Sequence, residues 1–175
     1  MRFAYADPPY PGQARRHYAH DPKCAEVDHE DQISSLVRDY PNGWALSTST
    51  PALKDVLSVA PEGVRVGAWV KPFCRFKPGV NPAYAWEPVL FMGGRKRGRS
   101  ELTVRDWVSC NITLRRGLAG AKPQGFCFWI FALLGAQPGD DLADLYPGTR
   151  AVSHAWDAWQ RQGQLFDLDA VEAMR

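Results

Sequence analysis

The hydrophobic and polar positions of this chain fall into short blocks, and the period within each block predicts its element. Arg2 to Ala6 is an apolar run that stops at Asp7 and reads as a strand. Residues 11 to 27 are polar and without period, as in a long loop. Asp28 can then cap a helix, Asp31 favours its N-terminal turn, and Ile33, Leu36, Val37 and Tyr40 supply the apolar stripe. "GWALSTS" (43–49) predicts the next strand. Thr50-Pro51 predicts a cap followed by proline at the first helical position, with Leu53, Val56 and Leu57 on the apolar face. "VRVGAWV" (64–70) and "PVLFM" (88–92) read as further strands, separated by a loop bearing proline and glycine. Residues 93–121 are basic and glycine-bearing, with a short helix predicted near 103–109. Lys122-Pro123 opens the longest apolar helical pattern, through Phe126, Trp129, Ile130, Leu133 and Leu134 to a closing Gly135. "GDDLADLYPG" (139–148) predicts a strand running into a glycine turn, and Val152, Ala155, Trp156 and Trp159 form the face of a last helix.

Strands alternate with helices almost throughout, which is the pattern of a three-layer α/β sheet. The chain has 175 residues, 45% of them hydrophobic, enough for one domain with a full core and short for two. There is no internal repeat and no low-complexity linker. No stretch approaches the length of a membrane span, and no apolar signal region follows the N-terminus. The four cysteines (Cys24, Cys74, Cys110, Cys127) form no CxxC pair, which suggests free thiols in a reducing cytoplasm. His17, His20, Cys24 and His29 fit no standard zinc spacing, so no metal is expected. The net charge of +2 does not by itself argue for nucleic acid. The local run "GGRKRGR" (93–99) says more: Arg95, Lys96, Arg97 and Arg99 suit phosphate contacts or a solvated loop.

Two strand ends could carry chemistry, because ligands of open α/β sheets bind beyond the carboxyl ends of the strands. At the first, Asp7-Pro8-Pro9-Tyr10 cannot continue a central strand, since neither proline donates to the ladder. Nor can it open an ordinary helix, because residues before proline avoid the α region. The chain therefore leaves the strand on a stiff loop carrying a carboxylate and an aromatic ring. At the second, Asp144-Leu145-Tyr146-Pro147-Gly148-Thr149 places an acid at a strand end before a glycine turn into a helix. Such a turn lets a ligand approach the backbone, and the helix N-terminus favours an anionic group. Lys71-Pro72 and Trp86-Glu87-Pro88 lie at strand boundaries near the same edge, and Lys122-Pro123 lies before a helix; pocket lining and plain packing both remain open for them.

Asp7-Pro8-Pro9-Tyr10 resembles the catalytic tetrapeptide of amino-group DNA methyltransferases, which form N6-methyladenine or N4-methylcytosine. "DLADLYPGTRAVSHAW" (141–156) is similar to their cofactor motif, acid-x-phenylalanine-x-glycine-x-glycine. With "WALSTST", "WVKPF", "AWEPVLF" and "GAKPQGFCFWIF" between them, residues 1–160 look like a small phage-type adenine methyltransferase. The catalytic motif precedes the cofactor motif, as in the circularly permuted branches of that superfamily. The resemblance implies an α/β, Rossmann-like S-adenosylmethionine (SAM) methyltransferase three-layer sandwich, permuted and minimal, as one domain over residues 1–175. It implies a catalytic set of Asp7, Pro8, Pro9 and Tyr10. It implies a SAM site of Asp144, Tyr146, Pro147, Gly148, Thr149 and Lys122. DNA would be the partner, met by Arg95, Lys96, Arg97, Arg99 and Lys71, in the cytoplasm of a bacterial host. Aspartate at the first motif position leans towards adenine; cytosine N4, RNA adenine and a non-catalytic nucleic-acid binder are the alternatives.

Two departures from the family pattern stand out. Arg150 replaces the usual second glycine, and could either crowd the methionine part of SAM or grip its carboxylate. Larger relatives continue into a strand whose acid holds the cofactor ribose, a contact expected here from elsewhere or not at all. No separate target-recognition domain is visible, so residues 11–27 and 73–121 are expected to read any target, with a homodimer partner as another source. Finally, "QGQLF" (Gln162–Phe166) fits the loose Q-x-x-L-F pattern for docking on the replication clamp, and equally an amphipathic tail.

Overall fold

The computed structural model describes residues 1–9, 27–74, 76, 78–113 and 121–172, with side chains as far as Arg161. Tyr10, most of the predicted loop 11–27 and the side chains of Gln162–Phe166 lie outside the described residues. The elements, in chain order, are β1 (Arg2–Ala6), α1 (His29–Asp39), β2 (Gly43–Ser47), α2 (Leu53–Ser58), β3 (Arg65–Val70) and β4 (Trp86–Gly93). There follow β5 (Trp107–Ser109), α3 (Gln124–Leu133), β6 (Asp141–Asp144) and α4 (Ala151–Glu172).

The strands form one six-stranded sheet in the order β5-β3-β4-β2-β1-β6. β1 runs parallel to both neighbours, with Tyr5 beside Ala45 of β2 on one side and Asp144 of β6 on the other. β4 is antiparallel to β2 and β3, and β5 is parallel to β3. A strand covered on both faces needs apolar residues at every position. The continuous "FAYA" of β1 meets that demand, with Phe3 to Ala6 all inaccessible.

The pleat sorts these residues into two cores. Phe3, Tyr5, Trp69, Val89 and Phe91 pack under α3 and α4. Ala4, Ala6, Trp44, Leu46 and Leu90 pack under α1 and α2. The result is three layers, with β1 at the junction of both cores. In β3, Gly67 lets α3 approach: an added Cβ would stand 3.0 Å from the Trp129 ring and 2.8 Å from the Asp106 carbonyl oxygen.

The helix starts follow the local chemistry. Asp28 caps α1 by accepting from the backbone N–H groups of Glu30 (2.9 Å) and Asp31 (3.2 Å). Thr50-Pro51 forms a turn instead of the first helical residues, and α2 begins at Leu53 with Leu57 exposed. The helix predicted near 103–109 is absent. Residues 107–109 pair with the open edge of β3, where Cys110 N–H donates to the Val70 carbonyl (3.1 Å) and Trp69 Nε1 to the Cys110 carbonyl (2.8 Å). An aromatic and a β-branched residue beside unpaired backbone groups favour the ladder over a weak local helix signal. Among the described residues no helix is long and apolar enough to cross a membrane.

Phe126 is the keystone of the core beneath the strand ends: it is inaccessible and packs against Tyr5 (6.0 Å between ring centroids), Trp69 (4.9 Å) and Trp129 (5.9 Å). Phe126→Ala is expected to lower the unfolding free energy by about 3–5 kcal/mol in denaturant titrations.

Candidate active site

Asp7 leaves the carboxyl end of β1, and its register places it on the α3/α4 face with Phe3 and Tyr5. Pro8 is buried, so the stiff turn begins inside the protein. The Asp7 side chain keeps 24% exposure, and its Oδ1 lies 3.1 Å from Lys122 Nζ. Lys122, just ahead of α3, is only 7% exposed in its side chain. Its ammonium also lies 3.1 Å from Glu87 Oε2, while Glu87 Oε1 meets Lys71 Nζ at 2.5 Å. Both lysines sit over the Trp69 ring, Lys71 at 4.6 Å and Lys122 at 5.3 Å from its centroid. Four alternating charges thus run Asp7, Lys122, Glu87, Lys71 across the ends of β1, β4 and β3.

Their electrostatics differ by position. Burial pushes the Asp7 carboxyl above its ordinary value; Lys122 pulls it back, and Glu87 and Asp144 add to the rise. Burial acts on Glu87 in the same sense, but Lys122 and Lys71 together overcome it and hold that carboxyl below its usual range. Burial thus outweighs the cation at Asp7, whereas the two cations outweigh burial at Glu87.

The second strand end lies beside the first. Asp144, paired with Tyr5, directs its carboxylate toward α4, where Oδ2 accepts from Ser153 Oγ at 3.1 Å. Among the described residues its Oδ1 is buried with no hydrogen-bond partner, and burial raises the carboxyl's pKa against the opposing pull of the Ser153 hydroxyl and the nearby backbone N–H groups of Tyr146 and Ser153. Tyr146 turns to the opposite face, its hydroxyl accepting from Gln32 Nε2 at 2.9 Å. Gly148 (φ 41°) and Arg150 (φ 58°) carry the turn, and Arg150 is the one non-glycine with positive φ among the described residues. Its carbonyl accepts from the His154 N–H (2.9 Å), which starts α4, while its side chain is exposed. The position where the family pattern has glycine thus keeps a glycine-like backbone.

Two clefts flank this turn. One of about 320 Å³ opens where α3 and α4 begin, between Lys122, Pro123 and Gln124 on one side and Thr149, Ala151 and His154 on the other. Among the described residues no side chain caps α3 there. The other, of about 520 Å³, runs along α1 past Asp28, Asp31, Gln32 and Tyr146.

The sequence-predicted residues separate into two groups. Asp7, Pro8, Pro9, Lys71, Lys122, Asp144, Pro147, Gly148 and Thr149 gather at the carboxyl ends of β1 and β6 or beside them. Lys71 and Lys122 are engaged by carboxylates there. Arg95, Lys96, Arg97 and Arg99 follow β4 at the other end of the sheet, a strand's length or on the order of 15 Å away. Arg95 grips the buried Asp140 through two contacts of 2.8 and 2.7 Å, and Arg97 donates to the Ala132 and Leu102 carbonyls. Lys96 and Arg99 are exposed. Among the described residues no three His, Cys, Asp or Glu side chains converge as metal ligands would; His17, His20 and Cys24 lie outside them. Glu87, for which the sequence left pocket lining and plain packing open, completes the site together with Ser153, which the sequence did not single out. The only sequence trace of Glu87 is an acid wedged between Trp86 and Pro88 at the start of an apolar run.

No protein-family model matches the chain, and no curated protein matches it in sequence. Among solved structures, the crystal structure of the M1.HpyAVI–SAM complex shares its fold, with a TM-score of 0.62 over 91% of this chain and 78% of that one. Sequence identity is 14%.

A non-glycine residue held in the left-handed region is strained by about 1 kcal/mol or more. Thermal unfolding is therefore expected to show Arg150→Gly neutral or up to about 1 kcal/mol more stable, and Arg150→Val about 1–2 kcal/mol less stable.

Proposed function

We propose that this chain is a SAM-dependent methyltransferase acting on the exocyclic N6 amine of adenine in DNA, with the motif order of the permuted branch. The observation that carries this reading is the pairing of two parallel strands, one ending in Asp7-Pro8-Pro9 and the other in the Asp144–Thr149 turn. An amine acceptor and a cofactor turn then stand side by side. The fold shared with a SAM complex supports it.

The residues fit the cofactor. The unpartnered Asp144 Oδ1 suits its ammonium group, and the uncapped start of α3 beside that of α4 suits its carboxylate. The Arg150 side chain points to solvent and is not among the residues lining the cleft between those helices, which favours a working site over an inactive binder. Bound SAM supplies an electrophilic methyl group on a sulfonium centre.

The rest is the work of the chain. The adenine amine is a poor nucleophile because its lone pair is delocalised into the ring. Asp7 accepts one N–H and the Pro8 carbonyl the other, which favours a pyramidal nitrogen with its lone pair aimed at the methyl. The prolines hold both acceptors in place before the substrate arrives. Tyr10 stacks on the base, which leaves the duplex to reach it.

A nucleic-acid substrate is supported by the segment between β3 and β4. Phe73, Phe76 and Tyr84 are exposed there, as is Trp86 at the start of β4, and the sequence sets Arg75 and Lys77 among them. Aromatic faces among cations suit unstacked bases and phosphates.

The test is transfer of labelled methyl from SAM to adenine-containing DNA, with cytosine-only DNA and RNA as comparison substrates. Asp7→Ala is expected to lower kcat by about 10²–10⁴-fold with KM for SAM little changed. Asp144→Ala is expected to raise KM for SAM by about 10-fold or more with kcat retained. Transfer to none of the three substrates by folded protein would refute the proposal.

A further inference from the structure

Lys122 sits in a place that a cofactor ligand does not require. Its ammonium is almost wholly removed from water, lies over the faces of Trp69 and Phe126, and makes equal 3.1 Å contacts with Asp7 Oδ1 and Glu87 Oε2. A buried ammonium is stable only with its counter-charges in place. Glu87 is in turn anchored by Lys71 on its other oxygen, so the pair Glu87–Lys71 fixes where the Lys122 charge stands.

Resting on the reading of Asp7 as the amine acceptor, we propose that Lys122 is the positioning residue of this site. Seated by Glu87 and Lys71, it keeps the Asp7 carboxylate charged and occupies Oδ1, leaving Oδ2 for the amine. Lys122 acts through Asp7 and touches neither the methyl group nor the base.

Two neighbours then pull Asp7 in opposite directions. Lys122 favours its ionised form, while Glu87 opposes it, as Asp144 does from β6. Lys71 faces Glu87 and reaches Asp7 only through it. During transfer the N–C bond forms as the S–C bond breaks, and sulfur keeps that electron pair. The amine proton passes to Asp7, which returns it to water. Asp7 must therefore be ionised before the reaction and basic enough to take a proton during it. Lys122 secures the first condition and Glu87 the second.

The direction of each effect provides the test. Removing the cation in Lys122→Met favours protonated Asp7, so the acid limb of the kcat–pH profile is expected to move up by about one unit or more. Glu87→Gln removes a like charge, so the same limb is expected to move down. Lys122→Arg is expected to restore most of the wild-type profile, and KM for SAM to change less than kcat in all three. A role in packing alone would not produce shifts of opposite sign. Shifts of the same sign, or an unmoved limb with a raised KM for SAM in Lys122→Met, would overturn the proposal; the latter would make Lys122 a cofactor ligand.

Titration of the Asp7 carboxyl carbon by NMR in the same variants, without substrate, reads the same two shifts. If they appear in a protein that transfers no methyl group, the electrostatic arrangement holds and only the proposed reaction fails. If Lys122→Met does not fold, the sign of the Glu87→Gln shift decides.

Discussion

Asp7 follows four residues of β1 that water does not reach, and a carboxylate at such a position needs a counter-charge that is itself buried. Lys122 is that charge, and most of what surrounds it is explained by keeping it there. The ammonium needs a second acid, which β4 supplies as Glu87 by entering the sheet antiparallel, with its first residues at the carboxyl end of β1 and β2. Glu87 needs its own partner, which the end of β3 supplies as Lys71. Both lysines lie over the Trp69 ring, whose indole N–H is held by the Cys110 carbonyl just beyond β5. The short edge strand therefore braces the platform under the charges.

The same sheet separates two kinds of basic residue. Those at the carboxyl edge are committed to carboxylates beside Asp7. Those after β4 lie at the amino edge, where Arg95 ties the end of α3 to Asp140 ahead of β6. Arg95 thus positions the strand that ends in Asp144. The two halves of the candidate site are linked through opposite ends of one sheet.

Much of this architecture was legible in the sequence because its elements are strongly marked. "FAYA" and "WALS" are unbroken apolar runs of the kind that only a doubly covered strand tolerates, and α1 carries its cap and stripe in plain view. The two strand ends were legible because proline and glycine there have few other uses. The segment 103–109 was misread because three residues hold little periodic information, and the edge of β3 decided their pairing. The charge chain was legible only in pieces. Lys71, Glu87 and Lys122 each stand before a proline at an element boundary, but their convergence on Asp7 depends on an antiparallel strand order that no local pattern encodes. Arg95 was misleading for a related reason: a cluster of cations looks alike whether it faces solvent or a buried carboxylate.

The central claim is that the ends of β1 and β6 form one site, with an amine acceptor on the first strand and a cofactor cradle on the second. Calorimetric titration of SAM into the wild-type chain tests it most directly, first alone and then with an adenine-containing oligonucleotide present. Saturable binding with one SAM per chain is the expected result. No binding by well-folded protein, with or without the oligonucleotide, would contradict the claim and leave the paired strand ends as a fold without its chemistry.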